Sequence, residues 1–181
     1  MNLQSRVCEI LEIEQPIVLA GMGGASSPAL AAAVSNAGGL GVLGAAACGP
    51  RQLREWIRQT REMTDKPFGV DTLLPASVRR ANYEDNDGPT PMDLVPERQA
   101  FAEEFMRKEG LEPPEPGSLQ RGPDDDEPAL FTKEFFEAQM EVIIQERVPV
   151  YASGLGNPGP WMTELRANGT KVMAVVGAVR H

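Results

Sequence analysis

Apolar residues along this chain fall into short unbroken runs, separated by stretches where they recur every three or four positions. The runs lie within 17–20, 40–43, 66–74, 148–152 and 171–176, where Lys66, Asp71 and Lys171 are the charged residues. Each is too short for a helix and lacks polar alternation, so each predicts a strand covered on both faces. The periodic stretches predict helices. Ser27 ahead of Pro28 reads as an N-cap followed by proline at the first helical position. Leu30, Ala33, Val34 and Ala37 mark one face of that helix, and Gly38 closes it. A second helix opens at Pro50 and turns Leu53, Trp56, Ile57 and Met63 inward, with arginines on its other side. A third, over 131–146, carries Phe135, Gln139 and Ile143 on one stripe beside Phe136, Met140 and Ile144. A fourth starts at Asn157-Pro158, carries Trp161 and Leu165, and ends at Gly169.

Strands alternating with helices imply an α/β fold with a parallel sheet. Two segments echo each other: "SSPALAAAVSNAGGLGVLG" and "GNPGPWMTELRANGTKVMAVVG" share a polar-Pro helix start, a helix end at Gly, and an apolar strand finishing in Gly. Such repeated units build either a doubly wound sheet or a (β/α)8 barrel. A barrel requires 17–20, 40–43, 67–72, 148–152 and 171–176 to be parallel neighbours in sequence order, whereas a doubly wound sheet reverses its order at a switch point.

Charge adds one region to this picture. Residues 84–127 hold 14 Asp or Glu against 4 Lys or Arg, a net of −10, while the whole chain of 181 residues carries −9. That stretch also contains seven prolines. It reads as a solvated acidic excursion within a single domain over 1–181, with one short helix around 96–109. Loose packing and tolerance to deletion are expected of it. No basic stripe is available to neutralise phosphates, so nucleic acid is not an expected partner. No apolar run reaches the ~20 residues of a membrane helix, and the first residues lack the order of a signal peptide. Cys8 and Cys48 have no metal or redox spacing, which places the chain in a reducing cytoplasm.

Chemistry in either architecture sits at the C-terminal ends of the strands. Those ends are Gly21-Met22-Gly23-Gly24, Gly44-Ala45-Ala46-Ala47-Cys48, Asp71-Thr72, Ser153-Gly154-Leu155-Gly156-Asn157 and Gly177. Gly21, Gly23 and Gly24 offer bare backbone on which a planar ligand can lie, but glycine after a strand is also common in α/β turns. Spacing alone leaves both roles open. There is no GxGxxG and no phosphate-loop lysine. Cys48 and Ser153 have no histidine near in sequence to activate them, and 124–127 is a solvated carboxylate run.

The stretch "QPIVLAGMGGASSPALAAAVSNAGGLGVLGAA", together with "KPFGVDTLLP" and "VPVYASGLGNPGPWMTELRANGTKVMAVVGAVRH", closely resembles the nitronate monooxygenase family in its amino-terminal part. A flavin-dependent enoyl-ACP reductase family shares much of this framework. The resemblance implies a TIM barrel binding FMN at the C-terminal face, present here as about five strands of eight. It implies that Gly21, Met22 and Gly23 lie along the flavin ring. Asp71 falls where the family commonly has an Asn that contacts FMN. The family's catalytic histidine lies in a Gly-Gly-His segment after a later strand, expected beyond His181, and its phosphate-holding turns come later still. The implied reaction is oxidation of an alkyl nitronate by oxygen to a carbonyl compound and nitrite. NAD(P)H-dependent reduction of an enoyl thioester is the alternative, and an inactive truncated barrel whose exposed edges invite self-association is the alternative of another class.

Overall fold

The computed structural model describes residues 5–74, 95–111, 127, 128, 130 and 132–177. Strands β1 (Gly41–Gly44), β2 (Phe68–Leu73), β3 (Val150–Leu155) and β4 (Lys171–Ala174) lie side by side in the order β1-β2-β3-β4. Every pairing is parallel. The 17–20 run joins the other side of β1, but as one bridge, Val18 to Leu40, rather than as a full strand. Two hydrogen bonds hold it: the Leu19 amide donates to the Leu40 carbonyl and the Leu40 amide to the Ile17 carbonyl, each at 2.9 Å. It is shorter than the sequence suggests because it lies outermost and its chain turns away at Ala20 to cross the end of β1. The order never reverses, so the sheet is an incomplete TIM-barrel-type (β/α) arc and not a doubly wound sheet.

Helices α2 (Pro28–Asn36), α3 (Pro50–Met63), α5 (Lys133–Gln145) and α6 (Met162–Ala167) form the connections, and α4 (Val95–Lys108) stands within the 84–127 stretch as the expected short helix. The remainder of that stretch lies outside the described residues, except 109–111 and Glu127. Ahead of α6 the chain makes a separate 3-10 turn, Gly159–Trp161, instead of one continuous helix. Pro160 has no amide to donate there, and Asn157 Oδ1 takes the Gly159 amide at 2.9 Å.

Two apolar layers result. On the outer face Leu43, Phe68, Val70 and Tyr151 pack beneath Ala31, Leu53, Ile57, Met140, Ile143 and Leu165 of the helices. Two helix faces differ from expectation. Helix α2 buries Ala31, Ala32 and Ser35, leaving Leu30 38% exposed. The cause is close approach: a Cβ on Gly41 would overlap the Ala31 carbonyl, so only small residues fit between α2 and β1. Ser35 uses that proximity, donating to the Pro67 carbonyl at 2.8 Å and accepting from the Gly41 amide at 3.0 Å. In α3, Met63 is exposed and Thr60 is buried in its place, its hydroxyl bonded to the Trp56 carbonyl at 2.7 Å.

On the inner face the plug comes from α1 (Arg6–Leu11), a helix the sequence pattern does not announce. Cys8, Leu11 and Ile13 pack against Leu40, Val42 and Val150 at the N-terminal end of the strands. An ion pair of 2.7 Å between Glu12 and Lys171 closes the rim of that plug. Outside the sheet, Arg54, Arg58 and Arg61 of α3 converge on Glu146 at the end of α5, at 3.0, 3.0 and 2.9 Å. Burial alone would raise the Glu146 carboxyl, but the Arg54 and Arg58 guanidiniums outweigh it and hold the group below its ordinary value.

Candidate functional site

The opposite end of the strands is built differently. β1 finishes in Gly44, where a Cβ would overlap the Met22 carbonyl and stand 2.8 Å from the Met22 nitrogen. The 20–26 turn therefore passes directly over the strand end, and only glycine allows the two backbones to meet there. Buried Ser26 organises the turn. Its hydroxyl donates to the Ala20 carbonyl at 2.8 Å and accepts from the Met22 amide at 3.1 Å. Its carbonyl accepts from the Gly44 amide at 3.1 Å, tying turn to strand. Its neighbour Ser27 holds the expected N-cap position without a side-chain capping bond.

Asp71 lies near the end of β2, level with Gly44 on one side and Ala152 on the other. Between β2 and β3 the register slips: Thr72 pairs with Ser153 but Leu73 pairs with Leu155, so Gly154 is an extra residue in β3. Such a bulge re-aims the chain locally, and here it brings Gly154 against the carboxyl. A Cβ at Gly154 would stand 2.8 Å from Asp71 Oδ1, and one at Gly21 would stand 2.5 Å from Asp71 Cβ and overlap Oδ2. The Asp71 side chain is thus walled by two glycines. Its Oδ1 is buried with no hydrogen-bond partner. Burial pushes the carboxyl up to about 6, with the Gly154 amide pulling the other way.

The four residues expected at the site play unequal parts. Gly21 and Asp71 touch each other, the Met22 backbone caps Gly44, and Gly23 faces open space, since a Cβ there would meet no atom within 4 Å. Sequence reasoning missed Ser26 and Gln139. Fully buried on α5, Gln139 donates through Nε2 to the carbonyls of Ala45 and Cys48, at 2.7 Å each, and clamps the turn that follows β1. The Ala45 amide in turn donates to the Asp71 carbonyl at 2.9 Å, so this clamp reaches the Asp71 backbone. Nothing in the sequence separates Gln139 from an ordinary helix residue except a polar side chain on an apolar stripe.

Neighbouring reactive groups are turned elsewhere. Tyr151 and Thr72 share a buried hydrogen bond of 3.1 Å. Burial first, and the Asp71 charge among the other causes, push the Tyr151 phenol up to about 12. Cys48 is buried, with its thiol pushed up to about 11 by that burial, so it carries no thiolate near neutral pH. Ser153 donates to the Gly156 carbonyl at 3.0 Å. His181 lies outside the described residues. Among the described residues no three His, Cys, Asp or Glu side chains cluster as metal ligands, and no helix is long and apolar enough to cross a membrane.

A parallel (β/α) arc with a glycine-walled carboxyl at its C-terminal end is a framework many chemistries use, and the sequence match decides among them. The family model for nitronate monooxygenase matches residues 4–181. The chain belongs to the nitronate monooxygenase family. A probable nitronate monooxygenase of Staphylococcus aureus strain Newman is 28% identical over 177 residues, covering 97% of this chain and 44% of the relative. The structure is similar to that of FabK from Thermotoga maritima, with a TM-score of 0.62 and 33% identity over 97% of this chain and 38% of that one. It is also similar to nitroalkane oxidase from Streptomyces ansochromogenes, with a TM-score of 0.65 and 25% identity over 95% of this chain and 42% of that one. The chain therefore spans less than half the length of these relatives.

Proposed function

We propose that the protein carrying this chain is an FMN-dependent oxidoreductase that converts alkyl nitronates, with oxygen, into a carbonyl compound and nitrite. The observation that carries this reading is the Asp71 carboxyl between Gly21 and Gly154, with one buried oxygen unpartnered, in a chain matched by its family from residue 4 to residue 181. These residues fit one edge of a planar heteroaromatic ring. The glycines keep side chains out of the plane beside the carboxyl, and the orphan Oδ1 calls for a polar partner. Bound FMN would supply the redox chemistry, passing electrons from the nitronate to oxygen.

The chain's own residues bind and orient. Gly21, Met22 and Gly23 present backbone to the ring, and Ser26 holds their turn against Gly44. Gln139 fixes the neighbouring turn through Ala45 and Cys48. Asp71 supplies the polar contact at the ring's edge. The catalytic residue is not among these, and the small nitronate and oxygen are the expected reactants. Apolar residues along the two outer edges of the arc, Ile17 at 59% and Val175 at 73% exposure, favour self-association or pairing with further strands. Two free, buried cysteines fit a reducing cytoplasm.

A second reading, NAD(P)H-dependent flavin reduction of an enoyl thioester, is favoured by the 33% identity to FabK. Oxygen uptake and nitrite release separate the two when the full polypeptide is supplied with FMN and an alkyl nitronate and no pyridine nucleotide. Turnover under those conditions supports the first reading. Consumption of NAD(P)H on an enoyl thioester, with no nitrite from nitronate, replaces it with the second.

A further inference from the structure

We propose that Asp71 makes flavin binding proton-linked: it holds the ring as a neutral acid, donating a hydrogen bond from its carboxyl to an acceptor atom on the ring's edge. This rests on the flavin reading above and adds to it the protonation state of the contact.

For the charged form of Asp71 the site supplies the Gly154 amide, which burial outweighs, and no described cation. Oδ1 is buried and unpartnered. Gly21 and Gly154 press on the carboxyl from two sides, so no side chain at either position can reach it with a donor. The 20–26 turn brings only glycine, methionine, alanine and serine, and Ser26 spends its hydroxyl within the turn. β1 contributes Gly44, and the turn after it Cys48, whose thiol burial keeps protonated. From β3 come Ala152 and Gly154, with Tyr151 on the opposite face as a neutral phenol bonded to Thr72. On β4 the cation is Lys171, engaged by Glu12 at 2.7 Å at the other end of the strands. No described cation faces the carboxylate, and burial raises the carboxyl to about 6.

A carboxyl in this position can meet a ring in two ways. Ionised, it accepts from an N–H of the ring and stays a buried charge. Protonated, it donates to a ring nitrogen or carbonyl, satisfies both partners and removes the charge. The absence of a facing cation among the described residues favours the second way. An asparagine would donate the same bond without titrating, so the choice of aspartate adds a proton to the binding equilibrium.

Riboflavin is the probe, because the FMN phosphate itself titrates near pH 6 and would mask the effect. Its dissociation constant for the full polypeptide that carries this chain is measured by fluorescence quenching from about pH 5.5 to 7.5, with circular dichroism confirming the fold at each pH. From a carboxyl at about 6, affinity is expected to fall about twentyfold across that range in the wild type. Asp71→Asn is expected to hold the low-pH affinity throughout. A wild-type profile that is flat or rises with pH overturns the proposal, as does an Asp71→Asn profile that falls in parallel. The wild-type profile needs no variant, so a poorly folded Asp71→Asn still leaves the matter decided. Firm but pH-independent riboflavin binding sinks this inference alone, whereas failure of both riboflavin and FMN to bind at any pH sinks the flavin reading with it.

Discussion

The two ends of the same strands are solved in opposite ways. At the N-terminal end, Cys8, Leu11 and Ile13 fill the concavity with apolar side chains, and polar groups at the rim are paired: Glu12 with Lys171 at 2.7 Å, Ser35 with Pro67 and Gly41, Thr170 with Val148 at 2.8 Å. At the C-terminal end, glycines replace side chains, backbone lies on backbone, and one carboxyl oxygen is left without a partner. Filled and satisfied ends contribute stability, and an unfilled end with an orphan polar atom is where a ligand belongs. The difference lies in residue choice along each strand, since the backbone ladder runs through both ends.

Substitution can break this contrast. The largest effect is expected where backbone meets backbone: Gly44→Ala should cost about 3 kcal/mol or more, because a Cβ there overlaps the Met22 main chain and no rotamer relieves it. Gly23→Ala, in open space on the same turn, should stay within about 0.5 kcal/mol. Chemical denaturation of the two variants measures the gap, and equal costs would mean that the turn does not sit on β1. At the filled end, Leu11→Ala should cost about 2–3 kcal/mol through the cavity it leaves, while flavin affinity at the other end changes less than about twofold. A parallel loss of stability and affinity would show that the ends are not separable.

The smallest effect concerns the orphan carboxyl. Asp71 has an ordinary value of 3.8 and a folded value of about 6. The folded state therefore holds the extra proton between those values, and stability falls as pH rises through that window, the loss being complete above about 6. Asparagine does not titrate. Without ligand, Asp71→Asn should thus gain about 1 kcal/mol over the wild type above pH 6, allowing for solvent screening of a group that is only partly buried. Below about pH 4 no gain is expected. Melting curves at the two extremes check the sign, and a variant less stable than wild type at high pH would show that native partners of the carboxylate, the Gly154 amide among them, outweigh its burial.

Much of the fold is written locally. Apolar runs bounded by Pro and Gly locate β1 to β4, and the Pro50 start with Leu53 and Ile57 four apart locates α3. What the sequence conceals depends on distant partners. Helix α2 has alanine at four of its nine positions, so its pattern has too little contrast to show which face meets Gly41. α1 is six residues with two buried side chains, below what periodicity can resolve. The strand at 17–20 has apolar residues enough, but its pairing depends on where the chain turns at Ala20. At the site, glycines at strand ends are visible in the sequence, yet their causes are not. Gly21 is bare because of Asp71, fifty positions on, and Gly154 approaches Asp71 only because β3 has a bulge. Gln139 looks like any helix residue until its amide is seen to meet Ala45 and Cys48.

The most direct test of the central claim, that the glycine-built end is a flavin site, is FMN binding by the full polypeptide that carries this chain, as Gly23→Val beside the wild type. A valine at Gly23 meets no protein atom within 4 Å of its Cβ, so the fold has room for it and its melting temperature should match the wild type. Its branched side chain would occupy the space the ring needs. Absorbance and fluorescence titrations should therefore show FMN bound by the wild type and affinity reduced at least about tenfold, or 1.4 kcal/mol, in the variant. Equal affinity in both proteins, or no FMN bound by either, would contradict the claim.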